Sequence, residues 1–185
     1  MVAIGFFRHP SAVAPNLTHG GSDEGGLAAA THFVIAMTES GKLGYVKLNR
    51  ILWYADLEHY RWRGSSVTGL RQYTRTMHGP MAARIPQAVS RLAKEGKIAE
   101  KAVAVADYVR REMVALQPPD FRALTDEQIR ILSETIRTVA PMTANELREL
   151  THADPLWREV SNGDAMLVAT GSIISPRLPR DASAD

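Results

Sequence analysis

Histidines and carboxylates are the side chains of this sequence best suited to chemistry, because it contains no cysteine. Without cysteine the chain has no disulfide, thiolate nucleophile or thiolate-bound zinc. Of its six histidines, His59 lies three residues after Asp56, a spacing that puts both on one helix face. With His78 or His152 they could form a metal site or an acid–base pair. We favour the alternative, hydrogen-bonding residues beside an aromatic core, because buried polar groups usually find such partners.

The common catalytic sequence motifs are absent. There is no Gly-x-Ser-x-Gly, no His-Glu-x-x-His and no phosphate-binding Gly-x-x-x-x-Gly-Lys-Ser/Thr. The glycine pairs at 20–21 and 25–26 precede a predicted helix but follow no predicted strand, so they do not match a dinucleotide-binding turn. We therefore predict that the protein is not an enzyme and needs no metal or other cofactor.

Length and composition indicate one globular domain. The chain has 185 residues, 45% of them hydrophobic and 23% charged, which is ordinary for a folded domain with its own core. Its apolar segments are shorter than the ~20 residues that span a bilayer, and no secretory signal is visible at the N-terminus. We expect a cytoplasmic protein without a membrane partner. Both ends of the chain contain proline and lack a regular spacing of apolar residues. They predict a flexible arm at 1–22 and a flexible tail at 176–185, around a domain at 23–175.

The apolar spacing predicts a mainly α fold (α+β), with about five helices and a small β element. The helices are expected near residues 27–37, 46–61, 86–95, 125–139 and 143–150. Capping boxes at Thr125 and Thr143 indicate where the last two begin. Gly79-Pro80 is expected to form a sharp turn in which Pro80 opens a helical turn. Residues 67–76 are a candidate strand, and 101–106 and 111–116 are expected to pair as a hairpin.

Positive charge is concentrated in the middle of the chain. Between Arg61 and Arg111 there are 11 Lys or Arg against three acids, whereas Glu112–Thr170 has ten acids against five arginines. A helix followed by a basic hairpin resembles the helix and wing of winged-helix DNA readers, although Pro86 interrupts the helix. Seven side chains there are candidate contacts for nucleic acid or an acidic partner: Arg84, Arg91, Lys94, Lys97, Lys101, Arg110 and Arg111. The alternative is a solvated surface whose charges meet each other.

Three short blocks occur in a specific order. Block one is Lys47-Leu48-Asn49-Arg50-Ile51-Leu52-Trp53-Tyr54-Ala55-Asp56, block two is Tyr73 with His78-Gly79-Pro80, and block three is Glu146–His152 followed by Pro155-Leu156-Trp157. Together, over about residues 27–175, they resemble the SocA-like antitoxin family, also called the Panacea domain. The resemblance implies a mostly helical domain that binds and neutralises a co-expressed toxin without catalysis.

The resemblance assigns thirteen motif positions, which we interpret as mostly structural because apolar aromatic residues of this kind are usually interior. They are Lys47, Leu48, Leu52, Tyr54, Ala55, Asp56, Tyr73, Gly79, Pro80, Leu150, Thr151, His152 and Trp157. The partner is then a cognate toxin, contacted by the N-terminal arm, by exposed parts of the Trp53–Trp62 aromatic belt or by the charged faces. Two alternatives stay open: a winged-helix-like DNA binder regulating its own operon, and an adaptor delivering the toxin to a protease. The toxin's identity and the stoichiometry are not determined by the sequence.

Overall fold

Seven α-helices and five β-strands lie in residues 22–105 and 108–179, which this computed structural model describes. In chain order they are α1 (Ser22–Met37), α2 (Tyr45–Arg63), β1 (Gln72–Thr76), β2 (Gly79–Met81), α3 (Arg84–Lys94), β3 (Ile98–Val105), β4 (Tyr108–Ala115), α4 (Asp126–Val139), α5 (Ala144–Ala153), α6 (Pro155–Glu159), β5 (Ala165–Leu167) and α7 (Val168–Ile174). The predicted mainly α fold with a small β element is confirmed.

Helix α2 lies at the centre of the fold. Every residue from Leu48 to Leu57 is buried, so all sides of this stretch are covered by other elements, as expected of a core helix. Helices α1, α4 and α7 and strand β2 pack against it. The helix ends at Gly64, whose φ of +67° and N–H bond to the Tyr60 carbonyl form a left-handed cap.

A three-stranded antiparallel sheet has the order β2-β1-β5. Tyr73 of β1 pairs with Met166 of β5, and both are buried. The prediction for Gly79-Pro80 was wrong, because both residues belong to strand β2, where Gly79 pairs with Thr76. Proline is compatible with this position because β2 is an edge strand, so its missing N–H removes no bond to a third strand.

Helix α3 begins two residues before the predicted start. Arg84 is its first residue and Pro86 its third. The first N–H groups of a helix have no intrahelical partner, so proline breaks no hydrogen bond there. The helix buries Ile85, Val89 and Leu92 against the core. Pro86 therefore belongs to the first turn of α3 and does not interrupt it.

The predicted hairpin is confirmed as β3 and β4, which pair from Ile98↔Ala115 to Val105↔Tyr108. Ile98 and Met113 at its base are buried, whereas Ala102 and Val109 further along are exposed. The arrangement nevertheless departs from a winged helix. Strands β1 and β2 lie between α2 and α3, where a helix-turn-helix has only a short turn.

Both predicted capping boxes are present. Thr125 and Gln128 exchange side chain-to-backbone bonds at the start of α4, and Thr143 and Glu146 do so at α5. These local bonds satisfy N–H groups that otherwise have no partner at a helix start. Asp154 caps α6 by accepting from the Leu156 N–H at 2.9 Å.

The expected boundaries of the domain stay predictions, because most of both terminal segments lies outside the described residues. The arm at 1–22 lies outside the described residues except for Ser22, which begins α1. Residues 180–185 of the expected tail also lie outside them. Within 176–179, Leu178 packs against the core. None of the described helices is both long and apolar enough to span a bilayer.

The close contact between α7 and α2 yields a stability prediction. A Cβ at Gly171 would lie 2.7 Å from Leu57 Cδ2 and 3.0 Å from the Trp53 ring, whereas at Gly25 in α1 it would meet nothing within 4 Å. Gly171→Ala should lower the free energy of unfolding by about 1–2 kcal/mol, because overpacking outweighs the gain in helix propensity. The control Gly25→Ala should raise it by up to about 1 kcal/mol. Urea unfolding measures both, and equal stabilisation by the two changes would contradict the close packing.

Candidate functional site

The three sequence blocks meet around one buried guanidinium. Arg50 of α2 donates from Nη2 to the His78 carbonyl in the β1–β2 turn and to Thr151 Oγ1 of α5. Block one therefore contacts block two and block three directly, although Arg50 and Thr151 are 101 residues apart. We call this set, with Gly79, the Arg50 cluster.

Arg50 is only 2% exposed. Burial lowers the pKa of its guanidinium to about 10, with the Tyr54 hydroxyl and the Asp154 carboxylate acting in the opposite direction. The group remains charged at neutral pH. Its Nε and Nη1 have no hydrogen-bond partner among the described residues. A buried cation with incomplete hydrogen bonding has a high desolvation cost. Breaking either of its two hydrogen bonds to neighbouring elements is therefore strongly unfavourable.

Gly79 provides the space that this guanidinium occupies. Its φ is +104°, in the left-handed region, and a Cβ there would lie 1.7 Å from Arg50 Nη2. Glycine is required at this position for two reasons, the backbone conformation and the contact. The sequence indicated only the first.

Asp56 is the second buried polar centre on α2. Its carboxylate accepts from the Thr68 N–H at 2.9 Å, the Thr68 hydroxyl at 2.6 Å and the Tyr73 hydroxyl at 2.9 Å. Burial raises the pKa of Asp56 to about 7, although these hydrogen bonds act to lower it. His59 hydrogen-bonds through Nδ1 to the Ser65 carbonyl at 2.6 Å, not to Asp56. Over the described ranges, no group of three His, Asp or Glu side chains is placed to hold a metal.

Two other residues of block one tie α2 to its neighbours. Lys47 Nζ donates to the Ala140 carbonyl at the end of α4, at 2.6 Å. Asn49 accepts the Ala82 N–H at 2.8 Å and donates to the Tyr45 carbonyl. The remaining apolar positions of blocks one and two are buried: Leu48, Leu52, Tyr54, Ala55 and Pro80.

Trp157 of block three connects α6 to the sheet. Its indole Nε1 donates to the Thr76 carbonyl at 3.1 Å, and Arg75 lies 4.0 Å from the ring centroid. His152 stacks on the ring at 4.8 Å, with 20° between the two planes. This stack is the contact that the structure describes for the His152 ring. Leu150 is partly buried against the core.

Three contributors to these buried contacts were not identified from the sequence: Arg50, Thr68 and Asp154. Asp154 accepts from Ser175 Oγ at 2.8 Å in addition to capping α6. The available signal for Arg50 was a cation followed directly by the apolar run at 51–55. Thr68 and Asp154 gave no such signal, because Thr68 lies in the candidate strand at 67–76 and Asp154 lies after the last predicted helix, and neither residue type by itself indicates a buried contact.

The seven basic candidates lie on α3 and the hairpin, but acids share that surface. Glu95 forms ion pairs with Arg91 at 2.9 Å and Lys97 at 2.7 Å, and Arg111 lies 3.9 Å from Glu100. Lys94 and Lys101 are exposed and Arg84 is partly exposed, while Arg110 belongs to β4. These pairs reduce the positive potential available to phosphates.

An exposed aromatic surface lies where α2 ends against α7. A pocket of about 540 Å³ is lined there by Tyr60, Arg61, Ala169, Ser172, Ile173, Ser175 and Arg177. Beside it Trp62 is 58% exposed, whereas Trp53, the other tryptophan of the predicted belt, is fully buried. We call this region, with Trp62 and Ile174, the α2–α7 surface.

These features define a mainly helical domain in which motif side chains from distant parts of the chain contact one another in the interior. The family model described as antitoxin SocA-like, Panacea domain, matches residues 48–158. The chain therefore belongs to the SocA-like antitoxin family. No curated protein and no solved structure matches it.

The contact between Gly79 and Arg50 can be separated from the cost of the backbone conformation. Gly163 also has positive φ, +93°, but a Cβ there would meet nothing within 4 Å. Gly163→Ala should cost about 1 kcal/mol from the conformation alone. Gly79→Ala should cost about 3 kcal/mol or more, because it also displaces a buried cation from its partners. Chemical denaturation of both variants tests this, and equal losses would show that the guanidinium does not require the glycine.

Asp56 should make the protein less stable as the pH rises towards neutrality. Its folded pKa is raised from 3.8 to about 7, so within that window the folded chain retains a proton that the unfolded chain has released. Asp56→Asn removes this titration. Relative to the wild type, its free energy of unfolding should rise on the order of 3 kcal/mol between about pH 4 and pH 7.

Urea unfolding at several pH values measures the Asp56 effect. Tyr73→Phe serves as the control, because it removes one donor and keeps the carboxyl, so stability should still fall with rising pH. Parallel pH curves for the wild type and Asp56→Asn would contradict the raised pKa.

Proposed function

We propose that this protein is an antitoxin that neutralises a cognate toxin by binding it directly. The observation that carries the proposal is the match of residues 48–158 to the antitoxin SocA-like domain. In this proposal the domain at 23–175 contacts the toxin, the arm at 1–22 and the tail at 176–185 flank it, and both proteins act in the cytoplasm.

The placement of polar groups supports binding over catalysis. Arg50 and Asp56, the most deeply buried charged side chains of α2, are bonded to other elements of the fold. They lie in the protein interior, where a substrate would not reach them. The α2–α7 surface instead exposes a tryptophan, a residue type enriched among those that dominate binding energy at protein interfaces, next to exposed isoleucines.

The DNA-binding alternative has weaker support. Its candidate surface includes basic residues, but Glu95 and Glu100 pair with three of them. The strands between α2 and α3 also separate the helices that a helix-turn-helix would join closely. The protease adaptor shares the toxin-binding step, so it differs from direct inhibition only in what happens to the bound toxin.

Co-expression with the product of each flanking gene tests the antitoxin function. We expect one flanking product to arrest growth alone, and this chain to restore growth and to co-elute with it on size exclusion. Gly79→Ala is the control for dosage, because a less stable fold should rescue less well. Toxicity without rescue, and no complex with either product, would refute the proposal.

Two further measurements separate the alternatives. The half-life of the toxin should be unchanged by this chain if binding alone inhibits, and should shorten if the chain is an adaptor. Gel shifts on the upstream DNA across a salt series should show only weak, sequence-independent binding that salt abolishes. Tight, specific binding at physiological salt would support the DNA reader instead.

A further inference from the structure

The α2–α7 surface combines exposed apolar side chains with a concave site. Ile173 is 83% exposed, Trp62 58% and Ile174 38%. Ile173 lines the pocket at the end of α2, Trp62 contacts the pocket residue Arg177, and Ile174 follows Ile173 in α7. Large apolar side chains exposed singly are common, but a group of them around a pocket is typical of binding sites.

Trp62 is held in place although more than half of it is exposed. Its indole Nε1 donates to Glu58 Oε1 at 3.0 Å, and the guanidinium carbon of Arg177 lies 5.8 Å from the ring centroid. A side chain already fixed in the free protein loses little conformational freedom on binding. Trp62 is therefore suited to be an anchor of an interface.

Two polar residues that line the pocket are bonded within the protein. Arg61 donates to the carbonyls of Ser172 at 2.8 Å and Ser175 at 2.7 Å, and it pairs with Glu58 at 2.9 Å. Ser172 Oγ donates to the Ala169 carbonyl. Their polar groups are therefore already paired, and a partner would meet the apolar side chains beside them.

Arg177 is the exception to this internal bonding. It is exposed, and within the described part of the chain no carboxylate lies within 4 Å of it, so its described contact is with the Trp62 face. Among the described residues its electrostatic partner is the Glu58 carboxylate, which already accepts hydrogen bonds from Arg61 and Trp62. The two arginines outnumber this one carboxylate, so the surface keeps positive charge beside the pocket. Its chemical complement is an apolar side chain with a carboxylate next to it.

Building on the proposed antitoxin function, we propose that the α2–α7 surface is the docking site for the toxin. The occupant is a toxin segment that inserts an aliphatic or aromatic side chain between Trp62 and Ile173 and places an Asp or Glu against Arg177. Burial of the apolar side chains gives affinity, and the carboxylate fixes orientation. A second copy of this chain is a poorer complement, because two-fold symmetry brings the same cationic patch against itself.

Three substitutions test the surface, with one matched control. Ile173→Asp puts a charge into the apolar contact, Trp62→Ala removes the anchor, and Arg177→Glu reverses the charge. Val109→Asp is the control, since it introduces the same charge at a 66% exposed side chain on the hairpin. Circular dichroism melts should show all four variants folded, because the changed side chains lie at the surface.

Binding of purified wild type and variants to the toxic flanking gene product is measured by calorimetry. We expect Ile173→Asp and Trp62→Ala to weaken binding about 30-fold or more, as loss of an interface anchor does. Arg177→Glu should weaken it about tenfold, with a smaller effect at high salt because screening reduces charge repulsion. Val109→Asp should bind like the wild type.

The other outcomes separate this inference from the function on which it rests. If the wild type binds and the three variants bind equally well, docking occurs elsewhere and the antitoxin function stands. If the wild type binds neither flanking product, the proposed function itself fails. A wild-type dimer in light scattering that Ile173→Asp dissociates would assign the surface to a second copy. Sedimentation of the wild type, but not Ile173→Asp, with phosphatidylglycerol vesicles would assign it to a membrane.

Discussion

The fold depends on the placement of one buried charge. Arg50 reaches from the central helix to the His78 carbonyl in the β1–β2 turn and to Thr151 in α5, and its guanidinium lies against Gly79, where no side chain would fit. A shifted apolar contact loses only part of its dispersion attraction, whereas a buried cation that loses its acceptors bears a desolvation cost that nothing offsets. This requirement fixes how the sheet and the C-terminal helices approach α2.

The same requirement gives the family blocks a physical meaning. They are far apart in sequence, yet Arg50 of block one hydrogen-bonds to both of the others. Asp56 accepts a hydrogen bond from the Tyr73 hydroxyl, and the Trp157 indole donates one to the Thr76 carbonyl. Each block thus provides one side of a contact whose other side lies in another block. Short, largely apolar motifs can be characteristic of a family for this reason, without any of their residues touching a partner.

The division between interior and surface follows from that arrangement. Polar groups of α2 that could have done chemistry are bonded within the protein, whereas its C-terminal end presents Trp62 beside α7. Gly171 allows α7 to lie close against Leu57 and Trp53, which brings Ile173 next to that end of the helix.

Local interactions were accessible from the sequence: the helix near 46–61, the capping boxes at Thr125 and Thr143 and the β3–β4 hairpin each depend on residues close together in the chain. Gly79-Pro80 was misread because a glycine–proline pair suits either a helix start or an edge strand, and only pairing with β1 selects the strand. The roles of Arg50 and the α2–α7 surface were likewise decided by tertiary structure. Both depend on contacts between residues about 100 positions apart, which no local spacing encodes.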